Sequence, residues 1–205
     1  MSRIEAVIFD LGGVLVEVDK KRSIKKWNGL TGGDEESFEN AFFTDRLKER
    51  FNVGSIDEQA FLNEVKSRIP PALRAPDEVA IKTAWTAMLS PRPYAEEITR
   101  LLSKNCNLAI LSDTDPVHAE YMENKFAFFG RFKIKTYSFE VRAAKPDATM
   151  YSAVVKALKT KPENCVFFDD LARNVRGAEA FGLNAHAATS RDEIINALKQ
   201  EKILL

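Results

Sequence analysis

Residues 4–15 read IEAVIFDLGGVL and join a short apolar run to an acidic residue and two glycines. The first six residues are mostly apolar and β-prone, which predicts a buried strand. The run ends at Asp10, and Gly12 and Gly13 follow, as suits a tight turn in which backbone amides approach a ligand. In an open α/β sheet, ligands bind beyond the carboxyl ends of the strands. Asp10 is therefore predicted to lie where a catalytic group belongs.

The composition of the chain excludes several classes of protein. The 205 residues suffice for one domain, or one domain with a modest insertion. Lys and Arg (30) balance Asp and Glu (30), so no basic field indicates a nucleic-acid or anionic membrane partner. No apolar run approaches the roughly 20 residues that span a bilayer, and we expect no signal peptide. Cys106 and Cys165 are expected to be reduced, which predicts a cytoplasmic protein. We expect a monomer or a homodimer, with no nucleic-acid or membrane partner.

The pattern of the chain changes after residue 16. Residues 17–89 show helical spacing of apolar side chains and hardly any strand signal. Asp34 and Asp57 lie at predicted helix starts within this segment. From residue 90 onward, short apolar strands alternate with helices, which implies parallel pairing and right-handed crossovers. We therefore predict an α/β fold interrupted by an all-helical insert of about 70 residues.

The candidate catalytic and ligand-binding residues lie at the ends of the predicted strands. Asp10, Ser112, Asp169 and Asp170 each end or follow a strand, and Lys145 lies in a connecting loop. The carboxyl ends of parallel strands open onto one edge, so these side chains are expected to meet. Three carboxylates would repel one another without a cation, and hard oxygen ligands suit Mg²⁺. The hydroxyl of Ser112, the ammonium of Lys145 and the amides of the glycine turn are suitable donors to phosphate oxygens. An Asp carboxylate can also form an aspartyl-phosphate. Together these residues predict an enzyme that transfers phosphoryl groups.

The sequence resembles the haloacid dehalogenase (HAD) superfamily in four motifs that appear in order. They are residues 9–15 (FDLGGVL), 111–114 (LSDT), 145–146 (KP) and 168–178 (FDDLARNVRGA). The resemblance implies an α/β fold with a Rossmann-like, doubly wound parallel sheet. That HAD-like core would comprise residues 1–16 and 90–205, and the helical insert at residues 17–89 would be a cap domain. The opening motif is similar to that of a phosphatase branch that includes a glucose 1-phosphate phosphatase.

The resemblance also implies roles for single residues. Asp10 would be the nucleophile and Lys145 would pair with both Asp10 and the phosphate. Asn174 would hydrogen-bond in the outer shell of the site, although Asn near a helix start is also common as a cap. The residues implied in binding substrate or phosphate are Leu11, Gly12, Ser112, Asp113 and Lys145. The implied Mg²⁺ ligands are Asp10, the backbone carbonyl of Gly12, Asp170 and, directly or through water, Asp169.

Gly12 departs from the pattern of the family. Most phosphatases of the family have at this position a second Asp that serves as general acid and then general base. A positioned acid contributes ~10²–10⁴-fold to the rate, so leaving groups that need a proton would suffer most. Aryl and acyl phosphates are then expected to react faster than alkyl phosphates, unless Asp113, Asp115 or a cap residue supplies the proton.

These features predict a Mg²⁺-dependent phosphatase that acts on a small phosphorylated metabolite through an aspartyl-phosphate, with sugar phosphates as one candidate class. Trp27, Arg46 and Arg50 are candidate substrate contacts from the cap, although packing or solvation explains them equally well. One alternative is a 2-haloacid dehalogenase, which needs no metal and so leaves the paired carboxylates at residues 169–170 unexplained. Another alternative, suggested by Gly12, is a catalytically weak phosphate-binding or interaction domain.

Overall fold

A five-stranded parallel sheet forms the centre of the computed structural model, which describes residues 3–203. The strands in chain order are β1 (Ala6–Phe9), β2 (Val16–Val18), β3 (Leu89–Pro91), β4 (Asn107–Ser112), β5 (Ile134–Tyr137), β6 (Cys165–Asp169) and β7 (Asn184–Ala187). The order across the sheet is β5-β4-β1-β6-β7, so β1 lies in the middle. Phe9 on β1 pairs with Ile110 on β4 and with Phe168 on β6. The parallel α/β core predicted from the sequence is confirmed.

Residues 3–203 contain eleven α-helices, of which the first five lie in the insert and the others in the part of the chain that forms the sheet. They are α1 (Lys20–Thr31), α2 (Glu35–Phe43), α3 (Leu47–Asn52), α4 (Glu58–Ser67), α5 (Glu78–Thr86), α6 (Ala95–Leu102), α7 (Pro116–Lys125), α8 (Ser138–Val141), α9 (Ala148–Leu158), α10 (Ala172–Phe181) and α11 (Arg191–Gln200). The predicted starts at Asp34 and Asp57 are confirmed, because their carboxylates accept backbone N–H groups of α2 and α4. Across the described residues, no helix combines the length and the apolar character that a membrane crossing requires.

The alternation of side chains along β1 separates two apolar layers. Ala6 and Ile8 belong to a cluster with residues of α9 and α10, whereas Val7 and Phe9 belong to a larger cluster on the opposite face. Every residue of β1 is buried, as expected for a parallel strand covered on both faces. This central strand holds the residue that follows it, Asp10, in a fixed position.

The helical insert is joined to the sheet by a two-stranded antiparallel ribbon of β2 and β3. Val16 pairs with Pro91 and Val18 with Leu89, so both predicted domain boundaries fall inside this ribbon. All α-helices between the two strands, α1 to α5, come from the insert. The larger apolar cluster runs from β1 into these helices and includes Trp27 and Trp85. The division at residues 17 and 89 into a core and a cap domain remains a prediction.

Candidate active site

The strand ends bring three carboxylates together at one edge of the sheet. Asp10 directly follows β1, Asp169 is the last residue of β6, and Asp170 follows it. Each offers a carboxylate oxygen, and these oxygens all lie within 4.8 Å of one another. Asp10 and Asp170 border a cavity of about 1060 Å³ between the sheet edge and the insert. Residues about 160 apart in sequence thus meet because parallel strands share one carboxyl edge.

Lys145 forms the positive centre of this cluster. Its Nζ lies 2.9 Å from Oδ1 of Asp10 and 2.7 Å from Oδ2 of Asp169, and it also donates to the carbonyl of Leu111 at 3.1 Å. The residue is only 5% exposed. Burial alone would lower the pKa of Lys145, but Asp10 and Asp169 outweigh this effect and raise it. The side chain therefore remains an ammonium ion that touches two carboxylates.

The pKa of the Asp10 carboxyl depends on its burial and on the charges around it. Burial raises its pKa, Lys145 opposes the rise, and Asp169 adds to it, with a result of about 6. The Leu11 backbone N–H also bonds to this carboxylate, whereas the Leu11 side chain is buried. Burial thus outweighs the favourable contact with Lys145, and the Asp10 carboxyl binds a proton more readily than an exposed Asp does.

Asp169 and Asp170 are neighbours in sequence but differ in their surroundings. Oδ1 of Asp169 accepts from Leu171 N at 2.9 Å and Asn174 Nδ2 at 3.0 Å. Oδ2 accepts from Lys145 Nζ at 2.7 Å and Asn174 Nδ2 at 3.1 Å. Asp170 is half-buried and borders the cavity, and its pKa is raised by burial and by Asp169. Asp169 is thus fixed by protein donors, whereas Asp170 faces the cavity.

Asn174 lies within α10 and does not cap it. The N-cap of this helix is Leu171, and the Asn174 amide donates to Asp169. Its own Oδ1 is buried without a hydrogen-bond partner among the described residues. Asn174 therefore acts on the site by holding Asp169.

Gly13 closes the glycine turn against Asp170. Its φ of +77° lies in the left-handed region, and a Cβ there would stand 2.6 Å from Cγ of Asp170. The glycine turn and the carboxylates form an all-oxygen donor set that suits a hard cation. Three carboxylates and one ammonium leave two negative charges, which a divalent cation would neutralise. The residues present therefore fit Mg²⁺.

The end of β4 brings two further residues to the cavity. Ser112 and Asp113 both border it, and Oδ1 of Asp113 accepts from the backbone N of Lys145 at 3.0 Å. Burial raises the pKa of the Asp113 carboxyl, while Lys145 partly opposes the rise. Gly12 also borders the cavity and contributes only backbone.

Asp115, one candidate for the missing acid, is placed wrongly for that role. It is fully buried, caps α7, and accepts from Trp85 Nε1 at 3.0 Å and His118 Nδ1 at 2.9 Å. Because all its oxygens meet fixed donors away from the cavity, it has no access to a leaving group. The expectation that it could donate a proton is therefore wrong.

The insert supplies the opposite wall of the cavity. Arg46 and Arg50 border it, but Arg50 is bonded to Glu64 through two contacts of 3.0 and 2.7 Å. Arg46 has a φ of 55°, which is rare outside glycine. Trp27 is fully buried, donates to Ser37 Oγ and does not border the cavity, so packing explains it.

Sequence reasoning missed several residues that border the cavity. They are Glu17, Asp45, Lys48, Glu49, Asn52, Arg92 and Arg173. Arg173 lies inside the fourth motif, so its position could have been recognised. The others were not recognisable from the sequence, because the approach of the five insert residues depends on how the insert folds back over the sheet, and that of Arg92 depends on the unpredicted ribbon of β2 and β3.

The insert contacts the core at a close polar junction. The Ser138 hydroxyl lies 2.6 Å from the Asn52 carbonyl and 3.0 Å from the Thr114 carbonyl. Gly54, with a φ of 63°, sits so close to the Phe139 carbonyl that a Cβ would stand 3.2 Å from its carbon and nearer still to its oxygen. This junction, formed by residues 52–54 and 138–139, holds the insert over the cavity.

A parallel α/β sheet with a lysine-centred acidic cluster at its carboxyl edge defines an α/β enzyme whose site suits reactions at anionic substrates. A family model described as haloacid dehalogenase-like hydrolase matches residues 4–182. The chain belongs to this family and is a hydrolase.

Two curated proteins are similar over nearly their whole length. Phosphatase MT3486 of Mycobacterium tuberculosis (strain CDC 1551 / Oshkosh) is 27% identical over 212 residues, covering 95% of this chain and 94% of that protein. The phosphorylated carbohydrates phosphatase of Thermotoga maritima is 23% identical over 220 residues, covering 96% and 99%.

Two solved structures share the fold. The HAD family enzyme bt-2542 of Bacteroides thetaiotaomicron, in complex with magnesium and inorganic phosphate, superposes with a TM-score of 0.78 at 22% identity, covering 90% of this chain and 93% of that one. L-2-haloacid dehalogenase of Xanthobacter autotrophicus superposes with a TM-score of 0.64 at 19% identity, covering 96% and 83%. An enzyme crystallised with magnesium and phosphate and a dehalogenase thus share this fold, so the fold alone does not identify the reaction.

Proposed function

We propose that the protein is a Mg²⁺-dependent phosphatase that hydrolyses a small phosphorylated metabolite through an aspartyl-phosphate at Asp10. The observation that carries the proposal is the buried contact of Lys145 with Asp10 and Asp169, with Asp170 close by and open to the cavity. The name of the Mycobacterium relative supports a phosphatase. The name of the Thermotoga relative favours a phosphorylated carbohydrate as substrate.

In the proposed reaction, Asp10 attacks phosphorus and the bond to the leaving oxygen breaks. Lys145 holds the attacking carboxylate by a 2.9 Å contact and neutralises charge on the phosphoryl oxygens. The Ser112 hydroxyl and the backbone amides around Gly12 bind the remaining oxygens. Mg²⁺, held by Asp10, Asp170 and the Gly12 carbonyl, would supply charge neutralisation at the transferring group.

Asp169 keeps these groups in place rather than reacting itself. Its four hydrogen bonds fix Lys145 on one side and Asn174 on the other. A water would then attack the aspartyl-phosphate, release inorganic phosphate and restore the Asp10 carboxylate. The insert over the cavity excludes bulk water and contacts the leaving group.

The dehalogenase alternative uses Asp10 as well but attacks carbon, and it needs no cation. It leaves unexplained why a third carboxylate, Asp170, is kept beside two others with its pKa raised. The phosphate-binding alternative rests on Gly12 and predicts binding without turnover. A phosphatase accounts for all three carboxylates, so we favour it.

The test is hydrolysis of p-nitrophenyl phosphate with and without Mg²⁺. We expect turnover that requires Mg²⁺ and disappears in Asp10→Asn, while Asp192→Asn, the same change on a side chain 87% exposed, keeps wild-type activity. Chloride release from chloroacetate without metal would instead establish the dehalogenase. Binding of inorganic phosphate without any turnover would establish the non-catalytic alternative.

A further inference from the structure

The side chain of Asp113 has an open oxygen at the cavity and no role in the steps described above. We propose that Asp113 is the catalytic general acid and base that Gly12 lacks. This inference rests on the proposed phosphatase function and adds the residue that moves the proton.

The position of Asp113 matches that of the missing acid. Phe9 of β1 pairs with Ile110 of β4 in the parallel sheet. Gly12 and Asp113 therefore each follow that pair by three residues, on adjacent strands that open onto the same edge. A carboxylate absent from one strand end is supplied by its neighbour.

The hydrogen bonding of Asp113 leaves one oxygen available. Oδ1 accepts from the backbone N of Lys145 at 3.0 Å, which fixes the carboxyl group. Oδ2 accepts no hydrogen bond from residues 3–203. The side chain is half-buried and borders the same cavity as Asp10. The same lysine thus orients both groups, Asp10 through its ammonium and Asp113 through its backbone.

The surroundings of Asp113 raise the pKa of its carboxyl group. Burial raises its pKa and Asp169 adds to the rise, whereas Lys145 and Arg173 oppose it. An acid whose pKa is shifted toward the working pH transfers protons more effectively than one that is fully ionised. This shift agrees in direction with the role that the position and the free oxygen of Asp113 indicate.

The other carboxylates on the cavity wall are less suited to the task. Glu17 accepts from Arg22 at 3.1 Å and is held as an ion pair in the ribbon region. The Asp45 side chain is 76% exposed and pairs with Arg68. Glu49 is exposed on the insert. Asp113 is the one among these that combines partial burial with a fixed orientation.

The proton balance of both steps is complete with this residue. As Asp10 attacks, the bond from phosphorus to the leaving oxygen breaks, and that oxygen takes the proton of Asp113. The Asp113 carboxylate then takes a proton from water as the water oxygen attacks phosphorus and breaks the bond to Asp10. Inorganic phosphate leaves, and Asp113 is again protonated.

The test compares two leaving groups in the full-length protein with Mg²⁺. p-Nitrophenolate leaves readily without a proton, whereas phenolate is more basic and gains more from protonation. Asp113→Asn keeps an oxygen for the Lys145 N–H but cannot transfer the proton. We expect the ratio of kcat/KM for phenyl phosphate to that for p-nitrophenyl phosphate to fall about 10²-fold, since a positioned acid contributes at least this much.

Asp45→Asn and Glu49→Gln are matched carboxyl-to-amide controls in the same cavity, and we expect neither to change that ratio. For phenyl phosphate, we also expect kcat/KM of the wild type to fall at alkaline pH as Asp113 loses its proton, and we expect this fall to be absent in Asp113→Asn. An equal loss on both substrates would mean that Asp113 only positions the loop, and a changed ratio in a control would assign the proton to that residue. Either result overturns the proposal while turnover lost in Asp10→Asn still supports a phosphatase. Absence of any turnover by the wild type would refute both.

Discussion

The buried ion pair between Asp115 and His118 should contribute strongly to the stability of the protein. Asp115 Oδ2 accepts from both Trp85 Nε1 and His118 Nδ1, and Oδ1 accepts from the His118 backbone N. The other ring nitrogen of His118 lies 3.0 Å from the Trp85 carbonyl, so each ring nitrogen faces a buried oxygen. The cluster ties α5 of the insert to α7 of the core.

Replacing Asp115 with Asn keeps the shape of the side chain but not its acceptors. Every orientation of the amide points its NH₂ group at a donor, either the ring and indole N–H groups or the backbone N–H. Removing one partner of a buried ion pair costs about 3–5 kcal/mol. For a chain of this size, 1 kcal/mol corresponds to about 2–4 °C, so Tm should fall by about 6–20 °C.

Thermal unfolding followed by circular dichroism measures this effect, and His186–Glu201 provides the matched control. That pair is 2.8 Å apart, but both side chains are 23% exposed. Solvent reaches and screens this partly exposed pair, so it should contribute about 0–1 kcal/mol, and Glu201→Gln should lower Tm by no more than about 4 °C. Equal shifts in Asp115→Asn and Glu201→Gln would refute the reasoning.

The pH dependence of the same variant gives a second check. Burial alone would raise the pKa of Asp115, but the His118 charge and three hydrogen bonds outweigh it and lower the pKa. A carboxyl whose pKa is lowered by folding stabilises the native state above the unfolded pKa of about 3.9. That contribution is lost as the pH falls through the folded pKa. The Tm difference between wild type and Asp115→Asn should therefore persist at pH 7 and narrow below about pH 4. A difference unchanged at acidic pH would contradict the assigned charge.

Three further predictions concern the cavity. Gly13→Ala strains a left-handed residue by about 1–2 kcal/mol and pushes against Asp170, so Mg²⁺ titrated by calorimetry should bind more weakly than to wild type. Gly54→Ala places a Cβ against the Phe139 carbonyl and forces the insert away from it, so kcat/KM for p-nitrophenyl phosphate should fall. An unchanged kcat/KM would show that this junction does not control the position of the insert over the cavity. The pKa of Asp10 is about 6 without metal, so Mg²⁺ competes with a proton for this carboxylate. The affinity for Mg²⁺ should therefore fall about tenfold per pH unit below about pH 6 and stay level above it.

The sequence was sufficient to predict the sheet and the convergence of its acidic strand ends. Apolar runs that stop at Asp10 and at residues 169–170 constrain both the strands and their common edge, since parallel strands all end on one side. The β2–β3 ribbon was not predicted, because three-residue strands with a proline in one of them carry little pattern. The bonding of Asn174 to Asp169 depends on the exact turn between β6 and α10, which periodicity does not specify.

The structural role of Asp115 could have been recognised from its neighbour. An Asp followed directly by Pro, here Pro116, is typical of an N-cap and the first position of a helix. What the sequence does not contain is the partner that closes the cluster from the insert, Trp85, thirty residues earlier in the chain. Packing between separate segments decided the role of this carboxyl group.

Two pairs of carboxylates in this chain show how structure separates residues of one chemical type. Asp115 and Asp169 have both oxygens held by protein donors, so a change to the amide leaves a donor facing a donor. Asp113 and Asp170 border the cavity, and Asp113 has one oxygen without a protein donor among residues 3–203. Asp115→Asn should therefore lower Tm but leave the ratio of kcat/KM for phenyl phosphate to that for p-nitrophenyl phosphate unchanged. Asp113→Asn should lower that ratio but leave Tm unchanged. Because the two residues lie on one loop, loss of both properties in both variants would mean that the loop acts as a unit, and that oxygen accessibility does not separate the two roles.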